Sequence, residues 1–408
     1  MLPLLLCTGS MLAFGQSAWT VYDTLNSPLP ENSVRCLAID AQGKKWIGTD
    51  NGLAVFDDVS WTIYDTLNSG LPDNYVRSLA IDAQGNVWLG TFTAGLVKFD
   101  GITWTNWNQS NSGLPNDFVR AIAFDTLPGI TWLGTSSGLV KFDGTSWTVW
   151  NDQNSALLSN NISAVTIGRN NVKYIATING GLYDFNDTTF SVYTVSTTGI
   201  PDNSATQIAL DSAGNRWYSS PAAGLMQHHE SINLWSFYNT VNSDIESNAL
   251  TAVIVDSLER KYMGSQQSGF LKFVFPNTWQ YWDTANSPMP DEYVQCLLKE
   301  NNHVLWIGTR EKGLVRVDEN LLNGVDENWL TAKKPLLYPN PAAEGQTVRF
   351  NLPERATRIL LSDMSGRVIE ISAHNEAIRL DGLTPGIYLV KVELETGGGF
   401  ASLLVVTE

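Results

Sequence analysis

Residues 71–91 read LPDNYVRSLAIDAQGNVWLGT, and this stretch holds two short β-patterned runs separated by an Asp-Ala-Gln-Gly turn. The runs are Val76–Ile81 and Asn86–Gly90, in which apolar and β-branched side chains dominate. Two more runs, Leu96–Phe99 and Trp104–Asn108, follow after further turns. The stretch and its continuation therefore predict a unit of four short antiparallel strands.

The aromatic positions of this unit recur along the chain at intervals of 42 to 45 residues. One column reads Trp46, Trp88, Trp132, Tyr174, Trp217, Tyr262 and Trp306. A second reads Trp19, Trp61, Trp104, Trp147, Phe190, Trp235 and Trp279, and a third reads Tyr22, Tyr64, Trp107, Trp150, Tyr193, Tyr238 and Trp282. Every Trp except Trp329 falls in a column, so we interpret these rings as repeated core packing.

Seven units of four strands predict an all-β fold, a seven-bladed β-propeller over residues 16–320. Helical periodicity is absent, which argues against a helical solenoid. Trp19–Asp23 matches an outer strand, whereas the last unit, Val294–Asp318, stops after its third strand. We therefore expect residues 19–23 to complete the blade of residues 294–318 and to close the ring.

Composition excludes several classes of function. The chain has 25 Lys+Arg against 41 Asp+Glu, and a net charge of −16 disfavours binding to nucleic acid or anionic lipid. With 43% hydrophobic residues the chain can bury a large core, so global disorder is excluded. Residues 1–15 are predicted to be a signal peptide, because a short apolar run ends in Ala13-Phe14-Gly15. No stretch is long enough to predict a membrane span.

The pattern Leu71-Pro-Asp-Asn-Tyr-Val76, Asp82-x-x-Gly85, Trp88-Leu-Gly-Thr and Gly95-Leu resembles the two-component-regulator propeller repeat. The resemblance covers about residues 17–320. In sensor relatives such propellers precede a membrane span and a kinase, neither of which is found in this sequence. Streptogramin lyases have a loosely similar propeller, but no matching His-based catalytic motif is found here.

A polar linker, residues 321–334, separates the repeats from a second domain over residues 335–408. Short strands with Pro and Gly turns predict a small Ig-like β-sandwich. The domain resembles the type A C-terminal sorting domain of the type IX secretion system, which implies a Bacteroidota source, secretion machinery as partner, and delivery to the cell surface or medium. The motif residues are Tyr338, Pro339, Asn340, Pro341, Gly366, Pro385, Gly386 and Tyr388.

Candidate binding residues lie where the repeats differ, around the predicted channel mouth. The position before each innermost strand reads Ser33, Tyr75, Phe118, Asn161, Ser204, Ala249 and Tyr293, with Phe92 on a neighbouring turn. The position one step into the strand reads Arg35, Arg77, Arg120, Ser163, Thr206, Thr251 and Gln295. Aromatic side chains on loops can stack on sugar rings, and the guanidinium group of Arg can form two hydrogen bonds with one carboxylate. One hypothesis is therefore that the mouth binds an acidic glycan or a peptide carboxylate.

The alternative is that each Arg pairs with a local acid such as Glu31, Asp73 or Asp117, while the aromatic rings cap the blades. Both interpretations stay open at this point. Neither requires a cofactor, and none is predicted.

Other candidate sites are weak. His228-His229-Glu230 resembles a metal site less than an incidental surface cluster, because neighbouring strand residues point to opposite faces. The recurring Asp-x-x-Gly segments have too few oxygen ligands for calcium and are interpreted as turns. Cys36 and Cys296 share one repeat position in adjacent blades, which suggests a disulfide, but the rotational symmetry works against its geometry.

The sequence thus favours an exported, non-enzymatic binding module for a glycan or protein ligand. The competing hypothesis is an extracellular, lyase-like enzyme that degrades polysaccharides or antibiotics.

Overall fold

The computed structural model describes residues 18–127, 129–274 and 278–322, and in the C-terminal region residues 337–338, 342–343, 345–350, 356–363, 368–371, 377–394 and 399–407. The predicted signal peptide and most of the linker lie outside these residues. The described chain is almost entirely β-structure, as the sequence predicted.

The strands of the first region are β1 Trp19–Tyr22, β2 Val34–Ile39, β3 Lys45–Thr49, β4 Gly52–Phe56, β5 Trp61–Tyr64, β6 Val76–Ile81, β7 Val87–Thr91, β8 Leu96–Phe99, β9 Trp104–Trp107, β10 Val119–Phe124, β11 Thr131–Thr135, β12 Gly138–Phe142, β13 Trp147–Trp150, β14 Ile162–Ile167, β15 Lys173–Thr177, β16 Leu182–Phe185, β17 Phe190–Tyr193, β18 Gln207–Leu210, β19 Arg216–Ser220, β20 Gly224–His229, β21 Leu234–Tyr238, β22 Leu250–Val255, β23 Lys261–Ser265, β24 Phe270–Val274, β25 Thr278–Trp282, β26 Val294–Lys299, β27 Val304–Thr309 and β28 Leu314–Asp318. One short helix, α1 Val195–Thr198, and two 3₁₀ turns, Arg169–Asn171 and Glu319–Leu321, accompany them.

These strands form seven four-stranded antiparallel sheets, which we call blades 1 to 7. Blades 1 to 6 take consecutive strands from β2 to β25, and blade 7 takes β26, β27, β28 and β1. Its outer strand is therefore the first of the chain, with Trp19 opposite Val317 and Tyr22 opposite Leu314. Each innermost strand contacts those of both neighbouring blades, including β2 with β26, so the seven blades form a closed ring.

The inner aromatic column packs in the core, since Trp132, Trp217 and Trp306 are fully or almost fully buried. In the five blades that have Trp at this position, the indole N–H donates to the acid that opens the turn before β3 or its equivalent. Trp88 Nε1 donates to Asp82 Oδ2 at 2.8 Å, and Trp132 Nε1 donates to Asp125 Oδ2 at 2.8 Å. The Asp-x-x-Gly segments are therefore turns whose acid also binds the core Trp.

Buried cations join neighbouring blades. Lys45 in blade 1 lies 5.2 Å from the ring of Trp306 in blade 7, and Lys173 in blade 4 lies 4.8 Å from Trp132 in blade 3. Lys261 in blade 6 repeats the contact at 4.8 Å with the Trp of blade 5. In these three blades, the Lys directly before the aromatic column therefore packs against the Trp of the preceding blade and joins the two sheets.

The glycine of the Trp-x-Gly-Thr motif is required because the innermost strand of the next blade packs directly against it. A Cβ added at Gly90 would lie 2.4 Å from the carbonyl oxygen of Val119, in the next blade. A Cβ at Gly308 would meet Val34 of blade 1 in the same way, with atoms 2.7 and 2.9 Å away. The motif therefore sets the distance between innermost strands.

The C-terminal region holds β29 Leu337–Tyr338, β30 Ala342–Ala343, β31 Thr347–Phe350, β32 Ala356–Asp363, β33 Val368–Ile371, β34 Ala377–Arg379, β35 Gly386–Leu394 and β36 Gly399–Thr407. They form a three-stranded sheet, β29-β31-β34, and a five-stranded sheet, β30-β36-β35-β32-β33. A core that includes Val348, Ile359, Leu361, Tyr388 and Leu404 lies within this region. The Ig-like description of the domain stays a prediction.

Candidate functional site

A β-bulge places the variable side chains of the innermost strands in the channel. In six of the described innermost strands the register with the next strand shifts directly after the first residue, as between Val34 and Cys36. The skipped residue is Arg35 in blade 1 and its equivalents in blades 2, 3, 4, 6 and 7. A β-bulge changes the direction of the side chain at the extra residue. Here the side chain of the skipped residue lines the channel.

All seven members of this column line one cavity of about 430 Å³. They are Arg35, Arg77, Arg120, Ser163, Thr206, Thr251 and Gln295. Tyr293, one of the four predicted loop aromatics, also lines it. The volume is within the range of small-ligand sites. The sequence-predicted cations are therefore brought together at a single concave surface.

Arg35 is fully engaged inside the protein. Its Nε and Nη2 donate to the two carboxylate oxygens of Asp50 at 2.6 and 2.7 Å, and its Nη1 donates to Gln295 Oε1 at 2.6 Å. The bond to Asp50 raises the pKa of Arg35. The alternative hypothesis of structural pairing is correct for this residue, although its partner is Asp50 and not Glu31, whose carboxylate accepts from Asn32 N at 2.7 Å.

Arg77 and Arg120 have no such partner. Within the described residues, no hydrogen bond or ion pair reaches either guanidinium, and Arg120 Nε is buried without an acceptor. The acids expected nearby serve the loops instead: Asp73 accepts from the backbone N–H groups of Tyr75 and Thr93. Burial, and then the charge of Arg77, lower the pKa of Arg120. The expected pairing is wrong for Asp73 and for these two cations.

Asp117, the third expected acid, accepts a hydrogen bond from the backbone N–H of Gln109 at 2.8 Å. It therefore fixes a loop conformation, as Asp73 does, and leaves the charge of Arg120 uncompensated.

The loop aromatics of blades 2 and 3 form a row beside the cavity. The rings of Tyr75 and Phe92 are 5.1 Å apart, and those of Phe92 and Phe118 are 4.7 Å apart and nearly perpendicular. Arg35 lies 5.2 Å from the Tyr75 ring and Arg120 lies 4.4 Å from the Phe118 ring. The outer two rings thus orient cations, while Phe92, 47% exposed, offers its surface to solvent.

Sequence reasoning missed a second column at the mouth. The residue after the Trp-x-Gly-Thr motif is Asp50 in blade 1, Phe92 in blade 2 and Arg310 in blade 7. Its backbone N–H donates to the carbonyl before the innermost strand, as Arg310 N does to Tyr293 O at 3.0 Å. The guanidinium of Arg310 is 5.0 Å from the Tyr293 ring. Reading the motif one residue further would have found this column.

The opposite side of the cavity presents neutral acceptors. Ser163 Oγ donates to Ala205 O and Thr251 Oγ1 donates to Val294 O, both at 2.5 Å and both toward the next blade. Thr206 Oγ1 likewise donates to Leu250 O at 3.3 Å or to Ser219 O at 3.1 Å. Their donor protons are used inside the ring, so their remaining lone pairs accept.

The two cysteines of the ring are free thiols. Cys36 Sγ donates to Val76 O at 3.7 Å and Cys296 Sγ donates to Val34 O at 3.6 Å, each toward the following blade. Equivalent positions point in the same rotational sense, which is why the thiols are not bridged. Burial raises the pKa of Cys36 to about 12 and raises the pKa of Cys296 well above the usual value of a thiol, so neither is a reactive thiolate.

The prediction that His228 and His229 form a surface cluster is wrong, because both are buried, and the ring of His228 lies 5.5 Å from that of Tyr193 in blade 4. His228 Nε2 bonds Asn233 Oδ1 at 2.9 Å, and His229 Nε2 bonds Ser236 Oγ at 2.7 Å. Burial lowers the pKa of both to about 4, and the charge of Arg216 contributes at His228. Their buried strand positions, next to polar partners, had no sequence signal.

Within the residues that the structure describes, no group of three His, Cys, Asp or Glu side chains is arranged to hold a metal ion. Over the same residues, no helix has the length and hydropathy needed to cross a bilayer.

The described part of the sorting-domain motif lies at the start of β35. Pro385 and Gly386 lead into this strand, and Tyr388 is buried with its hydroxyl donating to Thr384 O at 2.8 Å. Tyr338 ends β29. Pro339, Asn340, Pro341 and Gly366 lie outside the described residues.

Comparison with solved structures shows the propeller fold. The extracellular domain of a hybrid two component system from B. thetaiotaomicron matches with a TM-score of 0.66 and 18% identity, covering 96% of this chain and 58% of that one. PorZ, a surface component of the type-IX secretion system of Porphyromonas gingivalis, matches with a TM-score of 0.59 and 16% identity, covering 95% and 61%. The chain therefore spans less than two thirds of either relative.

Virginiamycin B lyase from Staphylococcus aureus matches with a TM-score of 0.60 and 11% identity, covering 74% of this chain and 98% of the lyase. At these identities the likenesses show the fold alone. No curated protein matches the chain.

Two families match the sequence itself. Residues 28–51 and 70–93 match the Two component regulator propeller family, and residues 336–405 match the Secretion system C-terminal sorting domain family. The second match indicates export to the cell surface or outer membrane and implies an interaction with the secretion machinery. The chain thus carries two component regulator propeller repeats followed by a secretion system C-terminal sorting domain.

Proposed function

We propose that the propeller is a non-enzymatic binding module, exported with the help of its sorting domain, that holds a glycan or protein ligand at the mouth of its channel. One observation carries the proposal: Arg77 and Arg120 line the cavity without an acidic partner among the described residues. In a chain of net charge −16, two uncompensated cations at one concave surface are a feature that a ligand anion would satisfy.

The construction of the ring supports a binding role. One variable residue from each blade lines the cavity. The aromatic columns, the turn acids and the motif glycines instead pack the core and join the blades. Specificity can then change without loss of the scaffold, as is usual for sites carried on rigid repeats.

The lining favours binding over acid–base chemistry. Among the described residues, no His, Asp or Glu lines the cavity, and those are the side chains that most often transfer protons in catalysis. His228 and His229 lie between blades and bond to neighbouring side chains. Tyr293 and the two thiols are the titratable neutral groups present, and the thiols are held protonated.

The test is a glycan-array and protein-binding screen of the full chain, with product analysis of every bound ligand by mass spectrometry. We expect retention of an unaltered ligand that is weakened by Tyr75→Ala combined with Phe118→Ala. Absence of binding to glycans and proteins alike would overturn the proposal, and turnover of a bound polysaccharide or antibiotic would favour the enzyme instead.

A further inference from the structure

The cavity is electrically polarised across the ring. Its cationic side is formed by Arg77 in blade 2 and Arg120 in blade 3. Arg35 belongs to the same column, but Asp50 neutralises its charge through two hydrogen bonds. Facing blades 4 to 6 contribute hydroxyl and amide side chains and, among the described lining residues, no carboxylate. One side of a ligand therefore meets positive charge and the other meets neutral polar groups.

The neutral side consists mainly of acceptors. The hydroxyl protons of Ser163, Thr206 and Thr251 are donated to backbone carbonyls, which leaves oxygen lone pairs toward other partners. Gln207 Oε1 accepts from Val253 N at 3.2 Å, which leaves the amide NH₂ of Gln207 as a donor beside these acceptors. Asn161, directly before the innermost strand of blade 4, has a buried Oδ1 without a donor among the described residues, although it does not line the cavity. A matching ligand must supply hydrogen-bond donors on this side.

We infer that the cavity recognises an acidic sugar unit, with its carboxylate between Arg77 and Arg120 and its hydroxyl groups toward the acceptors of blades 4 to 6. This inference rests on the proposed binding function and names the ligand class for that site. A carboxylate suits guanidinium groups because it accepts paired hydrogen bonds from them.

The absence of a carboxylate among the described lining residues separates sugar acids from amino acids. An α-amino acid or peptide N-terminus would place an ammonium charge against Ser163, Thr206 and Thr251, where no negative side chain compensates it. Sugar hydroxyls are neutral donors and need only acceptors. The exposed ring of Phe92, whose centroid lies 4.7 Å from that of Phe118, offers an apolar face to the sugar ring.

The experiment measures the Kd of the full chain by isothermal titration calorimetry for uronic-acid-terminated disaccharides identified on a glycan array. Each is compared with the same disaccharide in which the carboxylate is reduced to a hydroxymethyl group, and with a peptide ending in glutamate. We expect the acid to bind about 10- to 100-fold more tightly than its reduced form, since a charged hydrogen-bonded pair contributes about this much.

Arg77→Gln and Arg120→Gln should each remove most of that preference while the affinity for the reduced sugar stays constant. Arg169→Gln is the matched control, because Arg169 is an exposed cation in the turn between β14 and β15, at the other end of β14 from Ser163 and the cavity. Thermal unfolding of all three variants checks that the fold is kept. The preference should also fall as the salt concentration rises from 50 to 500 mM.

The outcomes distinguish a failure of the acidic-sugar assignment from a failure of the proposed binding function. Equal binding of the acid and its reduced form, or full affinity in both Arg variants, overturns the inference but leaves the binding module standing. Binding of the glutamate peptide without any acidic sugar assigns the site to a protein ligand and also overturns it. Absence of all glycan and protein binding removes the proposed function itself.

Discussion

Glu319 is the perturbation that best tests the energetics of the ring. It follows β28 directly and is 6% exposed by its side chain, surrounded by cations of blades 6 and 7. Its carboxylate accepts from Lys272 Nζ at 2.8 Å and from Lys299 Nζ, and lies 3.6 Å from Arg260 Nη2. The hydroxyl of Tyr262 donates to it at 2.9 Å. Glu319→Gln keeps the shape and removes the charge.

The expected loss is about 3 to 5 kcal/mol, because removing one partner of a buried ion pair leaves the remaining charges uncompensated. With an unfolding entropy of roughly 2.1 cal/mol/K per residue over about 300 residues, each kcal/mol changes Tm by about 1.6 °C. The variant should therefore unfold about 5 to 8 °C below the wild type.

Stability should also respond to pH. Burial by itself would raise the pKa of Glu319, but Lys272 and Lys299 lower it below the usual value of 4.5. A carboxylate with a depressed pKa stabilises the folded state above its unfolded pKa, and that stabilisation disappears as the pH falls through the folded pKa. The difference between wild type and variant should therefore be full at neutral pH and should shrink in acid below pH 4.5.

The assay is thermal and urea unfolding of both proteins between pH 3 and 7, followed by tryptophan fluorescence. Glu230→Gln is the matched control: Glu230 pairs with Arg216 at 3.0 Å but is 46% exposed, so the expected loss is at most about 1 kcal/mol. Equal losses in the two variants, or a difference that does not change with pH, would refute the reasoning that burial makes the Glu319 contacts strong.

Three further predictions concern the scaffold. Gly90→Ala should destabilise the ring by about 1 to 3 kcal/mol in urea unfolding, because the added methyl group would lie 2.4 Å from a carbonyl oxygen of the next blade; an unchanged midpoint would contradict the packing argument. Asp82→Ala should cost about 1 to 3 kcal/mol by leaving the indole N–H of Trp88 unpaired, and retention of wild-type stability would show that water replaces the carboxylate. Thiol titration should find Cys36 and Cys296 unreactive in the native protein and both reactive after denaturation without reductant; a missing pair would indicate a disulfide.

The fold could be predicted from the sequence because its signals are local and repeated. Trp88 and its equivalents mark one strand of each blade, and the Asp82–Gly85 turn marks the hairpin before it. Repetition turns a weak single-strand signal into a strong one, since every copy reports the same environment. The repeated pattern of apolar residues was therefore enough to predict the sheets, because strand formation depends more on the burial of apolar side chains than on particular side-chain partners.

The site was predicted only in outline. The column positions of Arg35, Arg77 and Arg120 were visible, but their different roles depend on which acid lies within reach across a turn. Asp50 is fifteen residues from Arg35 in the chain, and only the hairpin geometry brings the two together. The buried position of His228 was missed for a related reason, because its ring packs against Tyr193 of the neighbouring blade and bonds Arg216 on the adjacent strand of its own sheet. Pairings between elements leave no local pattern.

The pairing of Trp19–Tyr22 with Leu314–Val317 has a kinetic consequence. The two halves of this ladder are about 300 residues apart in the chain, so their contact carries a loop-closure cost that most blades, built from neighbouring hairpins, avoid. Blades 1 to 6 can form as each hairpin is completed, whereas the last must wait for both ends of the domain. Until then β28 is an exposed sheet edge and β1 has no partner strand, and ring completion should be a slow, late and strongly cooperative event in refolding.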